Sequence, residues 1–159
     1  AGLPPLDGAD PVGPTPVEAG GPPILAGVIG PKAMARAAHW ADGVYSFSMS
    51  GSAAETAGFF RMAEQAWQAA ERQAPPQKVG GFWYCLADNA EEKMKDYVYD
   101  YLKILGDKIA RTVANSMKNF DAHVIKDTLT EMAATGCEEV FLCSATDELS
   151  ELDRLLNIL

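Results

Sequence analysis

The sequence predicts an α/β fold with a mostly parallel sheet and helices packed outside it. Short apolar or aromatic runs alternate along the chain with longer segments whose apolar residues recur every three or four positions. Glycine or proline separates most of these segments. Strands that are joined through helices pair in parallel, so this alternation predicts parallel crossovers. With 159 residues, 48% of them hydrophobic, the chain is long enough for one substantial core.

The first 23 residues are rich in proline and glycine and show no helical or alternating periodicity. We expect an extended arm or linker there, and a folded domain over residues 24–159. The apolar run Ile24–Ile29 predicts a buried strand. Pro31 suits the first position of a helix that runs to about Ala41, because its missing N–H costs nothing there.

A second strand and a long helix follow. Val44–Ser48 predicts the strand, and Ser52 with Glu55 has the spacing of a capping box. The helix after this box carries an apolar stripe and ends before Pro75.

The next strand is predicted over Lys78–Ala87, which is rich in aromatic and β-branched residues, with a bulge at Gly80-Gly81. Asp88 and Glu91 repeat the capping-box spacing before a helix that ends near Leu105.

The last part of the chain predicts a short helical piece around Ile109–Met117 and a helix over Val124–Met132. Gly136 suits the left-handed position that closes this second helix. A final strand, Glu138–Cys143, and a helix that begins near Thr146 complete the pattern.

Four parallel strands with this helical cover correspond to half of a (β/α)8 barrel of the TIM type. Such a unit leaves two unpaired sheet edges, which favour association unless the other half, a second copy or the arm covers them. We therefore expect a homodimer or another partner.

Charge and composition exclude several functions. The net charge of −9 argues against nucleic acid, whose phosphates an acidic surface repels. No apolar run approaches the roughly 20 residues that span a bilayer, and the start lacks a signal-like basic and apolar segment. We expect a soluble, cytoplasmic protein in which Cys85, Cys137 and Cys143 are buried free thiols rather than a disulfide or a metal site.

Two segments carry a family resemblance. Pro22–Ala33 and Ala37–Val44 contain an apolar strand, a glycine turn, a helix of small residues and an Ala-Asp-Gly before the next strand. Glu131–Leu142 contains a closing helix, a glycine and a final strand. In this order the segments resemble the bacterial luciferase-like oxidoreductases. The resemblance implies the C-terminal half of a (β/α)8 barrel that uses FMN or the deazaflavin F420. Much of the catalytic chemistry in the family belongs to the other half, so we assign no catalytic residue.

The resemblance also implies a cofactor-phosphate site in the turn after the first strand, formed by Gly27, Val28, Ile29 and Gly30. A turn of this kind can bind an anion, because glycines let the anion approach the backbone closely and the first amides of the following helix are unpaired. Lys32 adds a positive charge. Without the resemblance, a plain structural turn is the stronger interpretation.

Other candidate residues have competing interpretations. Tyr45, Ser46 and Ser48 line a substrate or flavin pocket or simply end a strand, with neither interpretation favoured. Aromatic residues within strands are more often core than a stacking platform, and histidines without partners at metal spacing are more often surface groups than ligands. We therefore expect Phe82, Trp83 and Tyr84 to be core residues. We expect His39 and His123 to lie at the surface and bind no metal. We predict no metal site, and we expect the acidic helix positions Glu91, Glu92 and Asp96 to be solvated.

Two functions remain open. The first is a flavin- or F420-dependent oxidoreductase or monooxygenase acting on a small molecule, to which this chain supplies the phosphate turn. The second is a non-catalytic half-barrel fragment that self-associates or pairs with a partner.

Overall fold

A computed structural model describes residues 13–14 and 16–159 of the chain. Most of the predicted arm therefore lies outside the described residues. Residues 16–23 contain bends and a turn but no helix or strand.

Helices and strands alternate in the order that the sequence predicts. The strands are β1 (Leu25–Ala26), β2 (Gly43–Phe47), β3 (Gln77–Tyr84) and β4 (Glu139–Ser144). The helices are α1 (Pro31–Ala37), α2 (Ala53–Ala69), α3 (Ala90–Leu102), α4 (Asp107–Ser116), α5 (Ala122–Ala134) and α6 (Ser150–Ile158). A single 3-10 turn, Lys103–Leu105, joins α3 to α4.

The four strands form one sheet in the order β1-β2-β3-β4, and every pair of neighbours is parallel. Each strand thus pairs with the next strand along the chain, as a barrel wall requires. The predicted α/β class with a parallel sheet and outer helices is confirmed.

The sheet has two different faces, since side chains alternate along a strand. One face, here called the helix face, includes Val44 on β2, Phe82 and Tyr84 on β3 and Leu142 on β4, and it packs against α1, α2, α5 and α6. Its central side chains are almost completely buried, as the 0% exposure of Val44 and Phe82 shows. Two clusters of the hydrophobic core lie between this face and the helices. A third cluster lies on the other side, where α3 and α4 pack at the carboxyl end of β3.

The opposite face, here called the open face, carries an aromatic and apolar surface. Its register places the following residues on one side of the sheet: Leu25, Tyr45, Phe47, Val79, Gly81, Trp83, Glu139, Phe141 and Cys143. Helices α3 and α4 contact this face only near Trp83, at the carboxyl end of the strands. Phe141, which lies nearer the amino end of β4, is 48% exposed.

Both predicted capping boxes are wrong. Ser52 does precede α2, but its side chain accepts no capping bond. Glu55 Oε2 instead accepts from the hydroxyls of Ser48 and Ser50, each at 2.6 Å, and the Ser52 amide donates to Ser48 Oγ at 2.8 Å. In a capping box, the Glu55 carboxylate would accept from the Ser52 amide. Here it accepts from Ser48 and Ser50, which precede Ser52 in the chain.

The second box fails because α3 begins after Asn89 rather than after Asp88. Asn89 has φ of 58° and makes no side-chain cap bond, and Glu91 pairs instead with Lys95. By contrast, Asp121, which the sequence reading missed, caps α5 by accepting from the amides of His123 and Val124 at 2.8 and 3.2 Å. Gly136 has the left-handed φ of 81° expected after that helix.

Several predicted boundaries also shift. The first apolar run pairs in the sheet only at Leu25–Ala26, because Val28 packs against the helix-face core instead of pairing with β2. Helix α1 ends at Ala37, four residues early, and α6 begins at Ser150 rather than near Thr146.

The predicted bulge at Gly80-Gly81 is absent, because β2, β3 and β4 keep one continuous register through both glycines. A glycine is needed at position 81 because two neighbouring groups approach its backbone closely. A Cβ there would lie 2.7 Å from the Tyr45 hydroxyl and 2.9 Å from the Phe141 carbonyl oxygen.

Candidate functional site

The predicted phosphate turn lies at the carboxyl end of β1 and leads directly into α1. Gly27 and Ile29 are exposed, and a Cβ on Gly27 or Gly30 would meet no atom within 4 Å. Gly30 is the N-cap in an extended conformation, and Pro31 is the first helical residue. The backbone of the turn is therefore open to solvent.

The charge at this turn is positive. Helix α1 has no acidic residue in its first turn, and the Lys32 side chain makes no ion pair with any residue that the structure describes. The helix has only seven residues, so its dipole adds little beyond the first free amides. The turn can accept an anion, and nothing in its packing requires one.

A second feature lies at the carboxyl end of the open face. A groove of about 430 Å³ is formed there between the sheet and α3, and we call it the aromatic groove. Its lining residues are Tyr45, Phe47, Met49, Trp83, Tyr97, Tyr101 and Cys143. Carboxyl ends of parallel strands are where α/β folds bind ligands.

The rings in the groove contact one another in sequence. Phe47 and Trp83 lie edge to face with centroids 4.7 Å apart, and Trp83 meets Tyr101 at 5.4 Å. Tyr97 and Tyr101 are four residues apart on α3 and stack nearly parallel at 6.2 Å. This arrangement gives the groove flat, apolar walls.

The groove is also uncharged. Burial, followed by the neighbouring Cys143, raises the pKa of Tyr45, and burial raises the pKa of the Cys143 thiol. Both groups therefore stay protonated at neutral pH, and no Lys, Arg, Asp or Glu lines the cavity. Such a site suits a neutral planar molecule.

Of the three candidate pocket residues on β2 or directly after it, only Tyr45 lines this groove. Ser46 lies on the helix face, is fully buried, and its hydroxyl has no hydrogen-bond partner. Ser48 is also buried and donates to Glu55. The pocket interpretation is thus wrong for the two serines, because strand alternation turns them toward α2.

The predicted core assignment of the β3 aromatics is confirmed for burial, since Phe82, Trp83 and Tyr84 are each at most 5% exposed. They divide between the faces, however. Phe82 and Tyr84 pack under α5 and α6, whereas Trp83 forms the back of the aromatic groove.

The sequence reading missed Met49, Tyr97, Tyr101 and Cys143 as groove residues. The spacing of Tyr97 and Tyr101 placed them on one face of α3 but could not show which surface that face meets. Cys143 was expected to be a buried thiol, and Cys137 likewise, but both are only partly buried. Cys85 alone of the three is fully buried, and all three thiols are free.

Both histidines are exposed, His39 after α1 and His123 on α5. Across residues 13–14 and 16–159, no group of three His, Cys, Asp or Glu side chains is arranged to hold a metal ion. In the same part of the chain, no helix has the length and apolar character needed to cross a bilayer.

An ionic network built around one buried carboxylate, that of Glu151, ties the end of the sheet to α6. Glu151 is 2% exposed, accepts from the Leu86 amide at 2.8 Å, and pairs with Arg154 at 3.1 Å. Arg154 also contacts Glu148 at 3.0 Å, and Glu148 in turn pairs with Lys93 of α3. This network fixes α3 above the carboxyl end of the sheet.

Comparisons with known proteins show a shared fold. No family model matches the chain, and no curated protein sequence matches it. Among solved structures, an F420-dependent secondary alcohol dehydrogenase in complex with an F420-acetone adduct is similar, with a TM-score of 0.64 and 14% identity over 86% of this chain. The coenzyme F420-dependent tetrahydromethanopterin reductase from Methanopyrus kandleri gives a TM-score of 0.53 and 13% identity over 86% of this chain.

The chain spans about half the length of these structures, since the matched region covers 48% of each of them. The class of protein defined by these findings is an α/β fold with a four-stranded parallel sheet and surrounding helices, similar to part of two F420-dependent enzymes.

Proposed function

We propose that this chain is the C-terminal half of a luciferase-like, F420-dependent oxidoreductase and supplies one wall of its cofactor site. The observation that carries the proposal is the aromatic groove, an uncharged cavity with flat walls at the carboxyl end of a parallel sheet. The similar structures support the choice of F420, because both are enzymes that use this cofactor.

The residues present fit the two chemically different ends of such a cofactor. The rings of Trp83, Tyr97 and Tyr101 offer stacking surfaces for a planar deazaflavin. The open backbone of Gly27–Gly30 and the Lys32 ammonium offer donors for its phosphate. The turn follows the edge strand β1, and the groove lies over the other three strands of the same sheet, β2, β3 and β4.

When bound, the deazaflavin supplies hydride transfer to or from the substrate. The part of this chain is to bind and orient the ring and to exclude water from one of its sides. The groove contains no charged side chain able to act as a base at neutral pH, so proton transfer falls to groups outside it. We accordingly place no catalytic residue in this chain.

A fluorescence titration of the purified chain with F420 tests this function. We expect saturable binding, and we expect Tyr101→Ala to weaken it by roughly two- to tenfold through the lost ring contact. Tyr99→Ala is the matched control, because Tyr99 lies on the same helix but bonds Asp107 outside the groove. Equal F420 affinities for the two variants would show that the groove is not part of the cofactor site.

The same titration with FMN distinguishes the cofactors and the monooxygenase alternative. Preference for F420 supports the dehydrogenase-type chemistry of the similar structures. Preference for FMN would instead favour a flavin-dependent oxidoreductase or monooxygenase. Lys32→Ala should weaken either cofactor if the turn holds its phosphate, and an unchanged affinity would return the turn to a plain structural role.

A second candidate function is a non-catalytic half-barrel that self-associates or pairs with a partner. It is favoured by the open face, where Phe141 remains 48% exposed and the outer edges of β1 and β4 have no neighbouring strand among the described residues. A stable dimer that binds neither F420 nor FMN is the result expected for this function.

A further inference from the structure

We infer that a second cavity, beside the aromatic groove, binds the positively charged nitrogen of an amine-bearing small molecule. The inference rests on the proposed function and names the chemical class of its substrate. The cavity has a volume of about 550 Å³ and lies between α3 and the segment that joins β4 to α6. We call it the acidic cavity, and its polar lining residues are Lys93, Asp96, Tyr97, Ser144, Thr146 and Asp147.

The acidic cavity and the aromatic groove adjoin along one face of α3. Lys93, Tyr97 and Tyr101 follow one another at steps of four residues, which places them on the same side of the helix. Lys93 lines the acidic cavity, Tyr101 lines the groove, and Tyr97 lines both. A step of four residues advances about 6 Å along a helix. A molecule held in the acidic cavity therefore lies beside the planar ring that the groove is proposed to bind.

The charge of the acidic cavity is negative. Its one lining cation, Lys93, already pairs with Glu148. Asp96 on α3 and Asp147 in the opposite wall are exposed, and neither makes an ion pair with another residue in the part of the chain that the structure describes. A cleft lined by uncompensated charge of one sign concentrates ions of the other sign. The cavity therefore attracts cations and repels anions.

An ammonium group suits this cavity better than a metal ion or a neutral hydroxyl. Within residues 13–14 and 16–159, no three His, Cys, Asp or Glu side chains are arranged to hold a metal. An ammonium donates to carboxylates through charge-assisted hydrogen bonds, which are stronger than those of a neutral hydroxyl. The ring of Tyr97, which is 36% exposed, adds a further attraction for a cation.

Local hydrogen bonds hold the wall that carries Asp147. Ser144 Oγ donates to the Thr146 carbonyl oxygen at 2.7 Å and accepts from the Thr146 amide at 3.2 Å. Thr146 Oγ1 accepts from the Glu148 amide at 3.2 Å. The pair of Lys93 with Glu148 then ties this segment to α3. Both walls are therefore held in place before a ligand arrives, which lowers the entropic cost of binding.

The acidic cavity and the proposed phosphate turn have opposite charges. Lys32 follows β1 and Asp147 follows β4, which are the first and last strands in the order of the sheet. The turn attracts an anion, whereas the cavity repels one. The phosphate of the proposed cofactor is thereby directed to the turn, and the acidic cavity is left to a molecule of the opposite charge.

A nuclear magnetic resonance titration of the isotope-labelled chain, without cofactor, tests the inference. The probes are phenethylamine, phenethyl alcohol and phenylacetate, which join a phenyl ring for the groove to a positive, a neutral and a negative end. We expect phenethylamine to bind about three- to tenfold more tightly than the alcohol, and phenylacetate to bind most weakly. The shifted amide signals should include residues 93–97 and 144–148. Equal affinities for amine and alcohol, or tighter binding of phenylacetate, would overturn the inference.

Asp147→Asn and Asp96→Asn assign the effect to the two carboxylates. Each substitution should weaken phenethylamine binding about two- to fivefold and leave the affinity for phenethyl alcohol unchanged, and together they should abolish the preference for the amine. Asp153→Asn is the matched control, because it changes the net charge equally but lies on α6 outside the cavity. All three side chains are exposed, so folding should be preserved. An amine preference that survives the double variant, or that falls equally in the control, would contradict the assignment.

Titrations with F420 separate the acidic cavity from the proposed function. If F420 fails to bind while phenethylamine binds with the expected dependence on Asp147, the cofactor is rejected and the cavity stands. If F420 binds and phenethylamine shows no preference over the alcohol, the proposed function stands and the cavity is rejected. Asp147→Asn should not weaken F420 binding, because the phosphate is expected at the turn rather than at the cavity.

Discussion

The two faces of the sheet differ in what they bury. On the helix face, Phe82 is fully buried under α2, α5 and α6. On the open face, Phe141 of the neighbouring strand is half exposed, although both residues are phenylalanines in regular strands. The same residue type therefore stabilises the monomer on one face and offers a binding surface on the other.

The largest expected effect is the contrast between these two phenylalanines. Phe82→Ala should lower the free energy of unfolding by about 3–5 kcal/mol, since it leaves a cavity in a packed core. Phe141→Ala should cost the monomer less than about 1 kcal/mol, because its side chain is already partly in water. Urea denaturation of both variants measures the difference, and equal losses would show that the open face is covered in solution.

Gly81→Ala sharpens the comparison at the point where the open face is most crowded. The new methyl group would meet the Tyr45 hydroxyl and the Phe141 carbonyl oxygen, so we expect a loss of about 1–3 kcal/mol and a changed near-ultraviolet circular dichroism spectrum. Gly27→Ala is the control, since its Cβ would enter open space. A neutral Gly81→Ala would mean that Tyr45 moves freely over β3.

Glu151→Ala tests the ionic network that holds α6 beside the carboxyl end of the sheet. The substitution leaves the Leu86 amide without its acceptor, and we expect a loss of about 1–3 kcal/mol. Glu151→Gln should lose less, because its amide oxygen still accepts. Asp153→Ala, on the exposed side of the same helix, should be nearly neutral, and thermal unfolding ranks the three variants.

The smallest effect concerns pH. Hydrogen bonds from Lys93 and then from Arg154 lower the pKa of Glu148. A carboxyl whose folded pKa is depressed adds stability above its unfolded pKa, about 4.3, and this stability is lost as the pH falls through the folded pKa. Acid unfolding should begin at higher pH in Glu148→Gln than in the wild type, and identical profiles would contradict a role for this pair.

Much of the fold could be predicted because hydrophobic period and glycine or proline boundaries are local signals. The stripe of α2 and the aromatic run of β3 gave the correct element types and order. The capping boxes failed because the partner of Glu55 depends on where Ser48 and Ser50 lie in three dimensions. Spacing alone cannot show which of several nearby hydroxyls a carboxylate meets.

The candidate site was harder to predict than the fold. Alternation along β2 separates Tyr45 from Ser46, but only the register shows which of the two faces the helices. Tyr97, Tyr101 and Cys143 come from two distant segments that the fold brings together. The phosphate role of Gly27–Lys32 stays a prediction, because its open backbone is compatible with a ligand and with none.

The length of β1 has a further consequence for the turn that follows it. With two paired residues against the six of β4, this strand holds few backbone hydrogen bonds. Amide hydrogens there should exchange with solvent deuterium before those of β3, since local opening costs least where few bonds break. An anion bound at Gly27–Gly30 would therefore show itself first as slowed deuterium uptake in the amides of β1.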